Sequence, residues 1–158
     1  MAEGEFALVR QHLEAALPQT ADWVGDHDLY AMLADAASRE GDLPALQRYA
    51  PLAEERAVRY DHRLYRATAH RALGVAHRLA GEHGRAQARL QQALELFVEL
   101  GTNWQTGRTY FELGAVARAQ SDTAAATRHF TDALSEFERQ GAGPDVIRTQ
   151  AALAELGV

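Results

Sequence analysis

The chain has no cysteine and no lysine, one asparagine (Asn103) and three serines (Ser38, Ser121 and Ser135) among its 158 residues. Each shortage removes a class of chemistry. Without cysteine there is no disulfide framework and no thiolate metal site, which fits a reducing compartment. None of the serines lies on the strand-to-helix elbow that presents a nucleophilic serine. Without lysine, the one glycine-rich stretch, Gly141-Ala142-Gly143-Pro144, cannot serve as a phosphate-cradling loop, and no strand precedes it. No apolar run approaches the roughly 20 residues of a membrane span. The opening Met-Ala-Glu-Gly-Glu-Phe is acidic and lacks the apolar segment of a signal peptide, so a cytoplasmic protein is expected.

What is present is helical, acidic and arginine-rich. The formal net charge is −6, and all 16 basic residues are arginine. The imbalance lies in residues 1–60, with 11 acidic groups against 5 arginines; residues 61–158 hold 11 of each. Such a chain lacks the phosphate-neutralising charge of a nucleic-acid binder.

The strongest signal is one pattern written twice, 40 positions apart. Leu73-Gly74 recurs as Leu113-Gly114, His70 as Tyr110, Ala86 as Ala126, Leu90 as Phe130, Ala93 as Ala133 and Phe97 as Phe137. A fixed period in this range marks a repeat architecture. Tyr110, Leu113, Gly114 and Ala117 stand at i, i+3, i+4 and i+7, the spacing of one helix face, and Ala126, Phe130, Ala133 and Phe137 repeat it on a second helix. The unit is therefore helix, short turn, helix.

These residues in this order resemble the tetratricopeptide repeat, in a long variant of about 40 residues. The resemblance implies an all-α, right-handed superhelix of about eight helices in antiparallel pairs. It implies a protein–protein interaction module or scaffold that binds a peptide or protein partner in a concave groove and has no enzymatic activity, cofactor or metal ion. A second reading follows from long-unit repeats attached to ATP-dependent transcription activators and nucleotide cyclases: a sensing segment of a larger signalling protein or transcription regulator.

The chain then divides as a single repeat domain, 1–158, with a half unit at 3–18, units at 20–60, 61–101 and 102–141, and a last helix at 143–156. The half unit reads as a second helix whose first is missing, since Phe6 and Leu13 precede Leu46 and Ala53 by 40. Thr20 or Asp22, Asp42, Asp61 and Thr102 are the expected helix starts, and Gly41, Gly81, Gly101 and Gly141 the expected stops. Pro51 lies inside an apolar helical stripe and predicts a kink rather than a break. Ile147 and Leu153 are expected to be buried, with one end of the array left open to self-association as a homo-oligomer.

His70 and His77 share a helix face but occupy positions that the repeat gives to core aromatics, so a structural role is expected. His62, His83 and His129 are expected at exposed positions. By the family frame the first helices line the groove, which places Arg71, Val75, Arg78, Arg108, Phe111 and Arg118 on it, with Arg148 extending the row. Either these arginines take an acidic partner, since the guanidinium fork matches carboxylates, or they form a solvated face. Glu112 and Asp35 are the nearest carboxylates in the repeat frame. No nucleic acid, membrane or cofactor partner is expected.

Overall fold

The computed structural model describes residues 3–17 and 26–157. Among these residues the fold is all-α, with eight helices: α1 (Glu3–Ala16), α2 (Asp26–Glu40), α3 (Leu43–Arg59), α4 (Arg63–Leu79), α5 (His83–Glu99), α6 (Asn103–Ala119), α7 (Thr123–Arg139) and α8 (Gly143–Ala154). The expected caps at Thr20 and Asp22 lie outside the described residues. None of these helices is long and apolar enough to cross a membrane.

The turns carry the periodicity more strictly than the helices do. Gly41, Asp61, Gly81, Gly101, Ser121 and Gly141 all have φ between 50° and 77°, and they are spaced every 20 residues. Left-handed backbone ends a helix and turns the chain back. Four of the six positions use glycine, which has no side chain to clash there. Asp61 and Ser121 take the same conformation without that freedom.

The helix starts are capped unevenly. The Asp42 carboxylate accepts from the Ala45 N–H at 3.0 Å, and Pro44 sits in the first turn of α3. Asp122 caps α7 in the same way through Ala125. At the start of α4 the cap is His62, not Asp61: its Nδ1 accepts from the Tyr65 N–H at 3.4 Å and its ring stacks on Tyr65 at 4.0 Å. Thr102 stands at the start of α6, but its hydroxyl donates back to the Phe97 carbonyl instead of capping the helix. Helix α3 continues through Pro51, which lies on its exposed side.

Packing divides the chain into two compact units, residues 1–93 and 94–158, with the boundary inside α5. In the first unit α1 packs on α2, α2 on α3 and α4, and α3 on α4. Leu33, Leu46, Tyr49, Ala53, Ala72 and Val75 form its core, with Leu13 of α1, and Leu17 just beyond that helix, packed against it. In the second unit α7 packs on α6 and α8. Its core is Phe111, Phe130, Phe137, Ala126, Ala133 and Ala152.

The same helix-pair contact occurs in each unit. A Cβ at Gly74 would lie 2.6 Å from Leu90 Cγ, and a Cβ at Gly114 would lie 2.7 Å from the Phe130 ring. Beside each crossing the His70–Arg89 contact in the first unit is answered, 40 residues on, by Tyr110 stacked on His129 in the second. Gly107 makes a further close approach in the second unit, where a Cβ would meet Glu136 Cβ at 2.9 Å.

Candidate functional site

Each unit presents neighbouring first helices, α2 and α4 in one, α6 and α8 in the other, and polar contacts bridge both pairs. In the first unit Arg71 of α4 is 1% exposed, and its Nη2 donates to Asp35 Oδ1 of α2 at 2.8 Å. The partner foreseen for it in the repeat frame is thus one that it has. Val75 is fully buried in the core of that unit and offers no surface to a partner. The reason is that α4 is covered almost all round: residues 67–72 and 74–76 are buried. Arg78, near the end of α4, is half-buried.

The second unit has a more open face. Trp104 begins α6, is 38% exposed, and donates from Nε1 to Asp145 Oδ2 of α8 at 3.0 Å. The guanidinium of Arg108 lies 4.9 Å from the Trp104 ring centre, and its Nη1 donates to Gln105 at 3.3 Å. Arg108 is only 6% exposed. One turn on, Phe111 packs against Phe130 at 5.2 Å, and Arg148 of α8 covers its other side at 4.0 Å. Arg148 also reaches Glu112 Oε1 at 3.9 Å. At the far end of α6, Arg118 pairs with Glu155 of α8. Trp104, Arg108, Phe111 and Arg118 therefore form one stripe, and Asp145, Arg148 and Glu155 form the matching stripe on α8.

The sequence frame brought Arg108, Phe111, Arg118 and Arg148 onto one face. It missed Trp104, Asp145 and Glu155. A signal existed: Trp104 and Asp145 both lie in first helical turns, 41 positions apart in a 40-residue repeat, which makes them neighbours.

The histidines divide by burial. His70 is 9% exposed, with Nδ1 at 3.0 Å from Arg89 and 3.3 Å from Glu54. Burial holds its pKa below the ordinary imidazole value, Glu54 opposing and Arg89 and Arg66 adding to the shift. His77 is half-buried and contacts Glu82 at 2.6 Å. His62, His83 and His129 are half-buried rather than exposed, because the first caps a helix and the last stacks on Tyr110. Burial lowers the pKa of His129 as well. Among the described residues no group of three or more His, Asp or Glu could hold a metal ion.

Residues 65–139 match the family model of the tetratricopeptide repeat. Among solved structures the chain is similar to BtubC (BKLC) from P. vanneervenii, at a TM-score of 0.73 and 22% identity. That match takes in 98% of this chain, which spans 66% of the length of the other. No curated protein matches the chain in sequence. The helix pairs, the glycine crossings and the family match over the same residues agree: the segment 65–139 is built as tetratricopeptide repeats.

Proposed function

We propose that the chain is a protein-binding module and that the face shared by α6 and α8 takes a segment of the partner. The observation that carries this reading is Trp104: a large, partly exposed aromatic, fixed by Asp145 and flanked by Arg108. Tryptophan and arginine are the residues on which interface energy concentrates, and a tryptophan already held in place loses little freedom on binding. The family generally mediates protein–protein contact.

The rest of the stripe favours a partner with carboxylates. Arg118 and Glu155 have side chains 43% and 66% exposed. Exposed pairs contribute only about 0–1 kcal/mol, so an incoming carboxylate displaces Glu155 at small cost. Arg148, 51% exposed, is available along its outer edge while its inner side rests on Phe111. Arg71 and Val75 stay internal on this reading.

The test uses the immobilised chain with extract of the native host. Proteins held by the unaltered chain should be lost by Trp104→Ala and by the double variant Arg118→Ala/Arg148→Ala, and added salt should weaken their retention, since charge is screened over roughly 8 Å at physiological ionic strength. Undiminished retention by folded variants would move the binding site elsewhere. The alternative, a sensing segment of a larger signalling protein or regulator, would be favoured by a natural reading frame that joins this chain to an effector domain.

A further inference from the structure

We propose that the bare outer face of α8 takes α1 of a second copy of this chain, so that copies associate head to tail.

The contact continues the interface that α6 makes with α7. On α6, Gly107, Tyr110 and Gly114 receive α7 through Glu136 and Phe137, through His129, and through Phe130 respectively. Forty residues on, α8 carries Ile147, Gln150 and Ala154 at those positions, and all three are exposed, Ile147 by 69%. Among the described residues, helix α8 thus presents the receiving side of a helix pair without a received helix.

Helix α1 is the opposite case. It falls in the frame of the second helices, where Val9 corresponds to His129 and Ala16 to Glu136, each 120 residues apart. Its core side meets the first unit through Leu13 and, just beyond the helix, Leu17. Arg10, bonded to Asp42 and reaching Glu40 at 3.2 Å, ties it to the same unit. On its other side Leu8 and Val9 are 58% and 43% exposed.

The sizes of the side chains select α1 among the second helices. Where α6 has Gly107, α8 has the bulky Ile147, so whatever packs there must be small at the matching place. At that place α3 has Arg56, α5 has Leu96, α7 has Glu136, and α1 alone has alanine, Ala16. Bulk that lies on the second helix in the α6–α7 pair lies on the first helix in this one. Docked in that frame, Ile147 meets Ala16 and the edge of Leu17, Gln150 meets Val9, and the small Ala154 meets the stem of Arg10. Such a contact joins two different surfaces, so a pair still offers one of each and further copies add in steps.

The experiment is sedimentation velocity on the full chain over a rising concentration series. The unaltered chain should pass from the mass of one chain, 17.3 kDa, to two and then more. Val9→Glu and Ile147→Glu should each remain single, with unchanged helical circular dichroism because both positions are exposed. Mixed together, the two variants should form a pair and stop there, since the first keeps an intact α8 face and the second an intact α1. An unaltered chain that stays single at every concentration would overturn the proposal. So would a mixture that stays single, which would mean a contact of like with like. If either variant loses helical signal, Ala154→Glu and Val9→Arg block the same two faces and must give the same pattern.

Discussion

Arg71 and Asp35 join α4 to α2 at 2.8 Å, with the guanidinium side chain 2% exposed and the carboxylate side chain 30% exposed. The arginine is thus a buried strut, and its charge depends on an acidic neighbour at the edge of solvent. Removing Asp35 leaves that charge with less compensation. Asp35→Ala should cost about 1.5–3 kcal/mol, the range of a hydrogen bond to a charged group. In a double-mutant cycle with Arg71→Met, urea unfolding should give a coupling above about 0.5 kcal/mol. Strictly additive effects would mean that the pair does not act as a unit.

The two helix crossings make a sharper case. Gly114 has the Phe130 ring where its Cβ would go, and Gly74 has Leu90. Gly114→Leu should destabilise by about 1–3 kcal/mol or more through overpacking. Gly84, in α5, has open space within 4 Å of the place a Cβ would take. Gly84→Ala, at the second position of α5, should therefore be tolerated and stabilise by a few tenths of a kcal/mol, less than the helix-interior preference of about 0.5–1 kcal/mol. Thermal melts of the two variants should move in opposite directions, and a common direction would contradict the assignment.

Ser121 holds φ at 61° without being glycine. Left-handed backbone costs a residue with a Cβ about 1–2 kcal/mol, while glycine costs somewhat less than that in unfolded-chain entropy. Ser121→Gly should raise stability by a few tenths to about 1 kcal/mol. A lower melting temperature would show that the serine makes a compensating contact.

His70 gives the fold a pH dependence with a defined sign. Its folded pKa lies below the usual value near 6.5 because it is buried. Between those two values the unfolded chain binds the extra proton and the folded chain does not. Stability is therefore full above about pH 7 and falls as pH drops through 6.5 toward the folded value. His129 acts in the same direction. His70→Tyr, the residue found at the corresponding places 30 and 110, should flatten part of that slope in urea midpoints measured from pH 5 to 8. An unchanged slope would assign the dependence to other groups.

The helices, their turns and the glycine crossings were legible because they follow from period and residue size, which a linear sequence carries. Asp35 was also legible as a neighbour of Arg71, since the repeat frame converts sequence distance into adjacency. Burial around a first helix was not. Val75 reads as a groove residue on a helical wheel, yet α4 has neighbours on both sides and its whole middle is covered. Ile147 reads as core beside Val146, yet in the frame it holds the place of Gly107, which another helix must cover. Whether such a position is buried depends on what packs over it, and no local pattern records that.

The constant spacing of the six left-handed residues restricts how such a chain can change length. Each residue of an α-helix turns the next by about 100°. One residue inserted within α6 would swing Phe111 and Gly114 away from Phe130 and place polar side chains against α7. Only a 40-residue module can be added or lost silently, because 20 residues exchange a first helix for a second and 40 restore the phase. Lineages of this chain should differ by cassettes of that size, with single-residue indels confined to the loops between helices.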